Sequence, residues 1–235
     1  MPNSHIVSSF DQDIQNLRQK IVIMAELVEN QFKDAEKALV NDDLSLANKV
    51  REQDKIVDQM EQDIEKTSIE LIAIRSPLAD DLREIISAIK ISNALERIGD
   101  YAKNLSKRVT ILHETNNFNG NYAIISQMIS IINTMNNDVV NAYMERNSEK
   151  ALAVWCRDLV VDNLHDSLFR QLLTYMMENP KSITPSTHLM FVAKNVERAG
   201  DHITNIAELV YYIIEGTPID MERPKGDMSS EIDIE

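Results

Sequence analysis

The sequence predicts an all-α protein built as two tandem, pseudo-symmetric antiparallel three-helix bundles, and three observations carry that reading. Composition is the first: five glycines, six prolines and 5% aromatics in 235 residues, against abundant Ala, Leu, Ile, Glu and Lys, favour helices almost throughout. Apolar residues recurring at steps of three and four along nearly the whole chain are the second. The third is a repeat: Glu96-Arg97-Ile98-Gly99-Asp100 returns as Glu197-Arg198-Ala199-Gly200-Asp201, and each copy continues to an asparagine, Asn104 and Asn205. No segment reads convincingly as a strand.

Taken in order, residues 1–9 read as a short disordered start. Phe10, Ile14, Leu17, Ile21, Met24, Leu27, Val28 and Phe32 then set a long amphipathic helix reaching about Val40. Asn41-Asp42-Asp43 ends it and caps the next. Leu46, Val50, Val57, Met60, Ile64 and Leu71 carry a second helix to about Ile74, and Ser76-Pro77 offers a cap followed by proline at the first helical position. The third helix runs from there to about His113. Three long helices with short turns make one antiparallel bundle, residues 10–115.

Asn116-Asn117-Phe118-Asn119-Gly120-Asn121 is rich in turn formers and marks a linker, 116–121. A second bundle follows over 122–215: one helix to Glu145, another capped by Asn147-Ser148 and reaching Glu178, and a third opened by Thr184-Pro185. From Gly216 the sequence has little to bury and reads as a mobile acidic tail, 216–235.

The repeated segment places Glu96, Asp100 and Asn104, and Glu197, Asp201 and Asn205, along single helical stripes, with no built-in cation in either. Acids four apart repel by a few tenths of a kcal/mol, and a mid-helix glycine costs about 1 kcal/mol against alanine. A second matched pair of acids precedes each: Asp54 and Asp58 on the second helix, Asp158 and Asp162 on the fifth. Folding adjacent helices together brings four carboxylates to one place in each bundle. Walking back from Asp100 and Glu96 reaches Ile89, Ile85 and Leu82, so the acids continue an apolar line, whereas Lys90, Arg97 and Arg108 share another flank that reads as solvated. Beyond Asp162 the line meets Phe169, Leu172 and Met176.

Carboxylates on a packing face need pairing or metal. Oxygen-only ligands point to iron, manganese, magnesium or calcium before a structural zinc. The alternatives are salt bridges to Arg97, Arg198 or Arg51, and plain exposure. His165 lies near the Asp162 stripe as a further candidate ligand, whereas His202 points away from the Glu197 stripe. Asn104 and Asn205 could ligate metal or brace a carboxylate. Met128, Met135, Met144, Met176, Met177 and Met190 read as core fillers, and Cys156 as a small core residue beside Trp155.

A formal charge of −14 disfavours nucleic acid and anionic lipid as partners. The lone cysteine suits a reducing compartment. Met1-Pro2-Asn3-Ser4-His5 has neither the basic nor the apolar region of a signal peptide, and no apolar run approaches the roughly 20 residues that span a bilayer. A cytoplasmic protein without membrane insertion is expected.

The two E-R-x-G-D-x-x-x-N segments, the paired acids and the stretch Arg75-Ser76-Pro77-Leu78-Ala79-Asp80-Asp81-Leu82-Arg83 resemble the PhoU family over nearly the whole chain. The resemblance implies two three-helix bundles related by a pseudo-twofold axis, with multinuclear iron or zinc clusters. One would use Asp54, Asp58, Glu96 and Asp100; the other Asp158, Asp162, Glu197 and Asp201. It further implies a negative regulator of phosphate uptake and of the phosphate regulon. Such a protein contacts the cytoplasmic parts of the phosphate ABC transporter and of a sensor histidine kinase, and commonly forms dimers or larger oligomers. In place of the first repeat's charged turn the second has Thr184-Pro185-Ser186-Thr187-His188. Two other classes compete with the regulator. A ferritin-like di-iron oxidase would want paired Glu-x-x-His motifs, and only Asp162-x-x-His165 is present. A metal-free helical adaptor would have its acids neutralised by basic side chains. Without a phosphate loop, nucleophile elbow or Cys/His dyad, no catalytic residue is assigned.

Overall fold

The computed structural model describes the backbone of residues 3–115 and 122–221, and the side chains of 10–115 and 122–221. Six long helices make up the fold: α1 (Asn3–Asn41), α2 (Leu44–Arg75), α3 (Ala79–Glu114), α4 (Ala123–Glu145), α5 (Ser148–Glu178) and α6 (Ile183–Glu215). A short 3-10 turn, Pro180–Ser182, precedes α6, and there is no strand among the described residues. Helices α1 to α3 form one antiparallel bundle and α4 to α6 the other, as the hydrophobic periodicity predicts. The backbone helix of α1 already runs over residues 3–9, which the sequence suggested were disordered. The expected linker 116–121 and the tail beyond Met221 lie outside the described residues.

Local chemistry sets the turns. Asp43 Oδ1 accepts from the Leu46 N–H at 2.9 Å, and Asn147 Oδ1 from the Lys150 N–H at 2.9 Å, so α2 and α5 open with capped donors. The expected Ser76-Pro77 cap of α3 is instead the end of α2. Ser76 is left-handed, with φ of 46°, and its N–H donates to the Ile72 carbonyl, while α3 starts only after Leu78. Proline disfavours a helical residue before it, so Ser76 closes one helix rather than opening the next. Likewise α6 begins before Thr184-Pro185. Pro185 sits inside its first turn, where the missing N–H has no intrahelical partner to lose.

The core runs through both bundles. Leu17, Ile21, Met24 and Phe32 of α1 meet Ile64 of α2 and Ile85, Leu95 and Leu105 of α3, and Met128, Met135, Trp155 and Val196 fill the second half. Helices α3 and α6 are central: each packs within its own bundle and against the other, while α1 also meets α4. Small residues make this crowding feasible, Ala88, Ala94, Gly99 and Ala102 on α3, and Ala193, Ala199, Gly200 and Ala207 on α6.

Specific polar contacts lock the bundles together. The Tyr101 and His202 rings meet at a tilt of 42°, with centroids 5.7 Å apart. Arg108, expected on a solvated flank, instead crosses to α6, its guanidinium 4.7 Å from the Phe191 ring and 3.1 Å from His188 Nδ1. Asn136 of α4 donates to the Ala25 carbonyl of α1 at 3.1 Å. Glu84, 4% exposed, accepts from Arg18 of α1 at two positions and from Arg146, just past α4, at 2.7 Å. Tyr143 lies beside this group; burial pushes its hydroxyl pKa well up, and the Glu84 charge adds to the rise. Of the two arginines, Arg18 is the committed one, its side chain 12% exposed against 40% for Arg146.

Removing the carboxylate would leave the Arg18 charge buried without its partner, a loss of about 3 kcal/mol. We expect Glu84→Ala to lower the urea midpoint accordingly; a midpoint within error of the parent would show that the cluster does not stabilise the fold.

Candidate carboxylate sites of the two bundles

In the first bundle, Asp54 on α2 is 2% exposed and faces Gly99 on α3. A Cβ added to Gly99 would stand 3.1 Å from Gln31 Oε1, 3.3 Å from Val57 Cγ1 and 3.7 Å from Asp54 Oδ1, so glycine is what admits the α2 carboxylate and the α1 amide to this face of α3. Asp58, Glu96 and Asp100 surround Asp54 at the half-buried rim. They act on one another electrostatically. Burial pushes the Asp54 carboxyl above its ordinary range; Lys103 opposes the rise, and Asp58 and Asp100 add to it. Glu96 is likewise raised by burial, then by Asp100, with Arg97 opposing and Asp58 and Asp54 adding. Such a set gains from any cation placed among it.

One cation is already present, contrary to the sequence expectation. Lys103, one turn beyond Asp100, donates to Asp54 Oδ2 and, at 3.2 Å, to Asp100 Oδ1. Its pKa is raised, chiefly by the hydrogen bond to Asp54. Arg97 lies 3.4 Å from Glu96 and 3.7 Å from Asp100, but its side chain is 61% exposed and the contacts are loose. Lys103 leaves Asp54 Oδ1 buried without a hydrogen-bond partner, and neither polar atom of Gln31, a residue 2% exposed, has one either. Neither Gln31 nor Lys103 was singled out from the sequence. The signals existed: Gln31 interrupts the buried stripe Met24, Val28, Ala35, and Lys103 continues the stripe of Glu96 and Asp100.

In the second bundle, Asp158 of α5 is 1% exposed and faces Gly200 of α6, where an added Cβ would stand 2.8 Å from Asp158 Oδ1 and 3.7 Å from Ile132 Cγ2. Beside Gly200 the α4 neighbour is the apolar Ile132, whereas beside Gly99 the α1 neighbour is Gln31, and Thr204 stands where the first bundle has Lys103. The Thr204 hydroxyl turns to its own helix, donating to the Asp201 carbonyl at 2.7 Å. Asp162, His165 and Glu197 share a cavity of about 310 Å3 with Phe169 and Phe191. His165 Nδ1 lies 3.4 Å from Asp166, and Glu197 accepts from Lys194 at 2.8 Å while its Oε2 is buried without a hydrogen-bond partner. Asp201 is half-buried on the same face.

In the first bundle Asp54, Asp58, Glu96 and Asp100 act on one another across α2 and α3; in the second, Asp162 and Glu197 share a cavity and Asp158 lies against Gly200. Among the described residues, no three His, Cys, Asp or Glu side chains close into a ready metal-ligand set; they stand as facing acids around a buried aspartate. The donors fit a hard cation in type, since all are oxygens and buried oxygens without donors remain. The two asparagines do not join them: Asn104 accepts from Lys107 at 3.0 Å, and Asn205 lines a groove between the bundles. That groove, about 1060 Å3, is bordered by Asp58 and Glu96 on one side, Trp155, His202 and Tyr212 on the other, and Ile219 of the expected tail. Cys156 is exposed rather than a core residue, and Met177 projects outward at 86% exposure. No helix among the described residues is long and apolar enough to cross a membrane.

A family model described as the PhoU domain matches residues 21–109 and again 125–210. The phosphate-specific transport system accessory protein PhoU homolog of Rhizobium meliloti is 44% identical over 230 residues, covering 98% of this chain and 97% of its own. Its namesake in Caulobacter vibrioides is 40% identical over 227 residues, covering 97% and 99%. The crystal structure of PhoU from Pseudomonas aeruginosa superposes with a TM-score of 0.85 at 36% identity, over 88% of this chain and 100% of that one. The phosphate transport system regulatory protein PhoU from Streptococcus pneumoniae gives 0.83 at 26% identity, over 90% and 100%.

The glycine contacts make a graded prediction. Alanine gains about 1 kcal/mol of helix propensity, whereas overpacking costs about 1–3 kcal/mol. Gly200→Ala meets the buried Asp158 carboxylate and should lose about 1 kcal/mol net. Gly99→Ala meets the far end of Gln31, which can shift, and should be nearly neutral. Thermal unfolding of both, with Gly99→Ala the less stable, would refute this account of the seams.

Proposed function

Since this chain belongs to the PhoU family, whose domain model matches both of its halves, we propose that it serves phosphate transport as a cytoplasmic accessory protein. Its role is that of a non-enzymatic negative regulator of phosphate uptake and of the phosphate regulon. It would act by contact, as a homodimer, linking cytoplasmic parts of the phosphate ABC transporter to the sensor histidine kinase. The observation that carries the reading is near-complete coverage by relatives that are named accessory proteins of phosphate-specific transport.

The metal part rests on the seams. Asp54, Asp58, Glu96 and Asp100 would hold one cluster and Asp158, Asp162, Glu197 and Asp201 the other, with iron or zinc first, and manganese, magnesium or calcium as the other candidates. A bound metal would supply positive charge at each seam. The protein's own share is to hold α2 against α3 and α5 against α6, fixing the outer surface on which partners dock. Support comes from the buried Asp54 and Asp158, from first-seam acids that raise one another's pKa, and from the buried Asp54 Oδ1 and Glu197 Oε2, which accept no hydrogen bond.

A metal-free adaptor is the second reading, and Lys103 favours it, because a side-chain cation already meets Asp54 and Asp100. The di-iron oxidase has no matching observation: His165 is alone, with Glu61 at the corresponding place in the first bundle.

Elemental analysis of protein purified without a metal column or chelator separates the two readings. Several metals per chain, roughly halved when Asp54, Asp58, Glu96 and Asp100 are all changed to alanine, are expected. Glu96→Ala with Asp100→Ala should lower metal content and melting temperature together. Absence of metal from the parent protein, with no rise in its melting temperature on adding metal, would leave the adaptor.

A further inference from the structure

We propose that the groove between the bundles is a docking surface for a basic peptide segment of a partner protein, anchored by one aliphatic side chain, and that Ile219 of this chain fills the anchor position until the partner arrives. This rests on the reading of an accessory protein that acts by contact, and not on the metal.

The groove combines apolar surface with an excess of negative charge. Ala94 of α3, Trp155 of α5, and Leu209 and Tyr212 of α6 supply the apolar part. Asp58 and Glu61 of α2, Glu96 of α3 and Glu208 of α6 set four acids against two bases, Lys90 and Arg97 of α3. Two of the acids have neutral hydrogen-bond donors: Glu61 accepts from the Asn93 amide at 2.6 Å, and Glu208 from the Trp155 indole at 2.9 Å. Their charge is therefore left facing the groove. Burial pushes the Glu61 carboxyl up, and Glu65 and Asp58 add to the rise, so a cation arriving there relieves repulsion that already exists. An apolar cleft edged by one sign of charge selects a segment that is apolar at its centre and oppositely charged at its flanks.

The chain itself shows that the cleft takes an aliphatic side chain. After α6 the backbone turns at Gly216, with φ of 76°, and the Gly216 N–H donates to the Tyr212 carbonyl at 3.0 Å. Glycine adopts that left-handed geometry without strain. Arg83 of α3 closes the corner. Its guanidinium carbon lies 5.6 Å from the centroid of the Tyr212 ring, and a Cβ on Gly216 would stand 2.5 Å from Arg83 Nη1. Beyond the turn Pro218 and Ile219 line the groove. Ile219 is half-buried against the core, whereas Pro218, Asp220 and Met221 are exposed, so one side chain supplies most of the hold. Asp220 brings the wrong sign of charge to an acidic cleft. A segment presenting the same aliphatic group between lysines or arginines would make the contact that Ile219 makes and add the charge that its neighbours lack.

The test is isothermal titration calorimetry on the full chain in EDTA, which removes metal from the comparison, with a short lysine-serine peptide carrying one central isoleucine. Saturable binding is expected, about tenfold weaker when that isoleucine is replaced by serine and lost when the lysines are replaced by glutamates. Ile219→Ser should tighten the isoleucine peptide about fivefold, because the self-occupied fraction no longer subtracts from the binding-competent population. Glu61→Gln with Glu208→Gln should weaken it about fivefold, whereas Glu26→Gln with Glu149→Gln, exposed acids outside the groove, should stay within about twofold of the parent. Equal binding of the serine and isoleucine peptides, equal weakening by the two glutamate pairs, or an unchanged affinity in Ile219→Ser overturns the proposal. So does absence of binding to the parent and to Ile219→Ser alike. If Ile219→Ser loses its helical circular dichroism, Ile219→Ala takes its place with the same expectation. Failure of the contact reading itself would show separately, as unaltered phosphate uptake in cells that lack the protein.

Discussion

Each bundle is built around a carboxylate pressed against a glycine. Gly99 and Gly200 remove a Cβ where α2 and α5 bring Asp54 and Asp158 inward, and that absence brings the helices close enough to bury both aspartates almost completely. At Gly200 a side chain would meet the Asp158 carboxylate directly, whereas at Gly99 it would first meet the end of Gln31, with Asp54 at ordinary contact distance. Everything polar in the seams follows from this one approach. The buried charge demands compensation, and in the first seam Asp58 and Asp100 add to the rise that burial imposes on Asp54, while Lys103 opposes it.

That constraint is coupled to the way the bundles meet. Helices α3 and α6 carry the glycines and also form the central contact between the halves, so each seam shares a helix with the interface. Glu96 faces both, belonging to the first carboxylate set and to the wall of the interbundle groove. Tyr101 against His202 and Arg108 against Phe191 fix α3 on α6, while Glu84 with Arg18 and Arg146 ties α1, α3 and the end of α4 together. A change in charge at the first seam is thus mechanically near the joint between the halves.

The helices, their pairing and the repeat were legible because each is written locally, in spacings of three, four and roughly a hundred residues. The spacing of the eight acids, two pairs in each half, is visible for the same reason. Lys103 was not, since a lysine three residues after Asp100 reads from one helix as a solvated neighbour; only the depth of Asp54 on another helix draws it inward. Gln31 was visible only as a polar letter in an apolar stripe, and its meaning needed the glycine opposite. Arg108 looked solvent-facing until α6 supplied Phe191 and His188. Cys156 was misjudged because small apolar-like residues are usually buried, while the neighbouring Trp155 takes the inward position. Ser76-Pro77 has the right composition for an opening cap, but the left-handed conformation that ends α2 had claimed the serine.

Trp155 is the sole tryptophan, 3% exposed at the edge of the interbundle groove, with its indole N–H donating to Glu208 of α6 at 2.9 Å. Its place gives the molecule an intrinsic optical probe. The indole is seated on α5, is tied to α6 and borders the wall that includes Asp58 and Glu96, so its emission colour and quenching depend on the polarity and occupancy of that cleft. Any body that settles between the halves, or any slippage of α5 on α6, would alter a single chromophore with no competing background from a second one. The protein therefore carries a label-free reporter at the boundary where its two halves and its first carboxylate set converge.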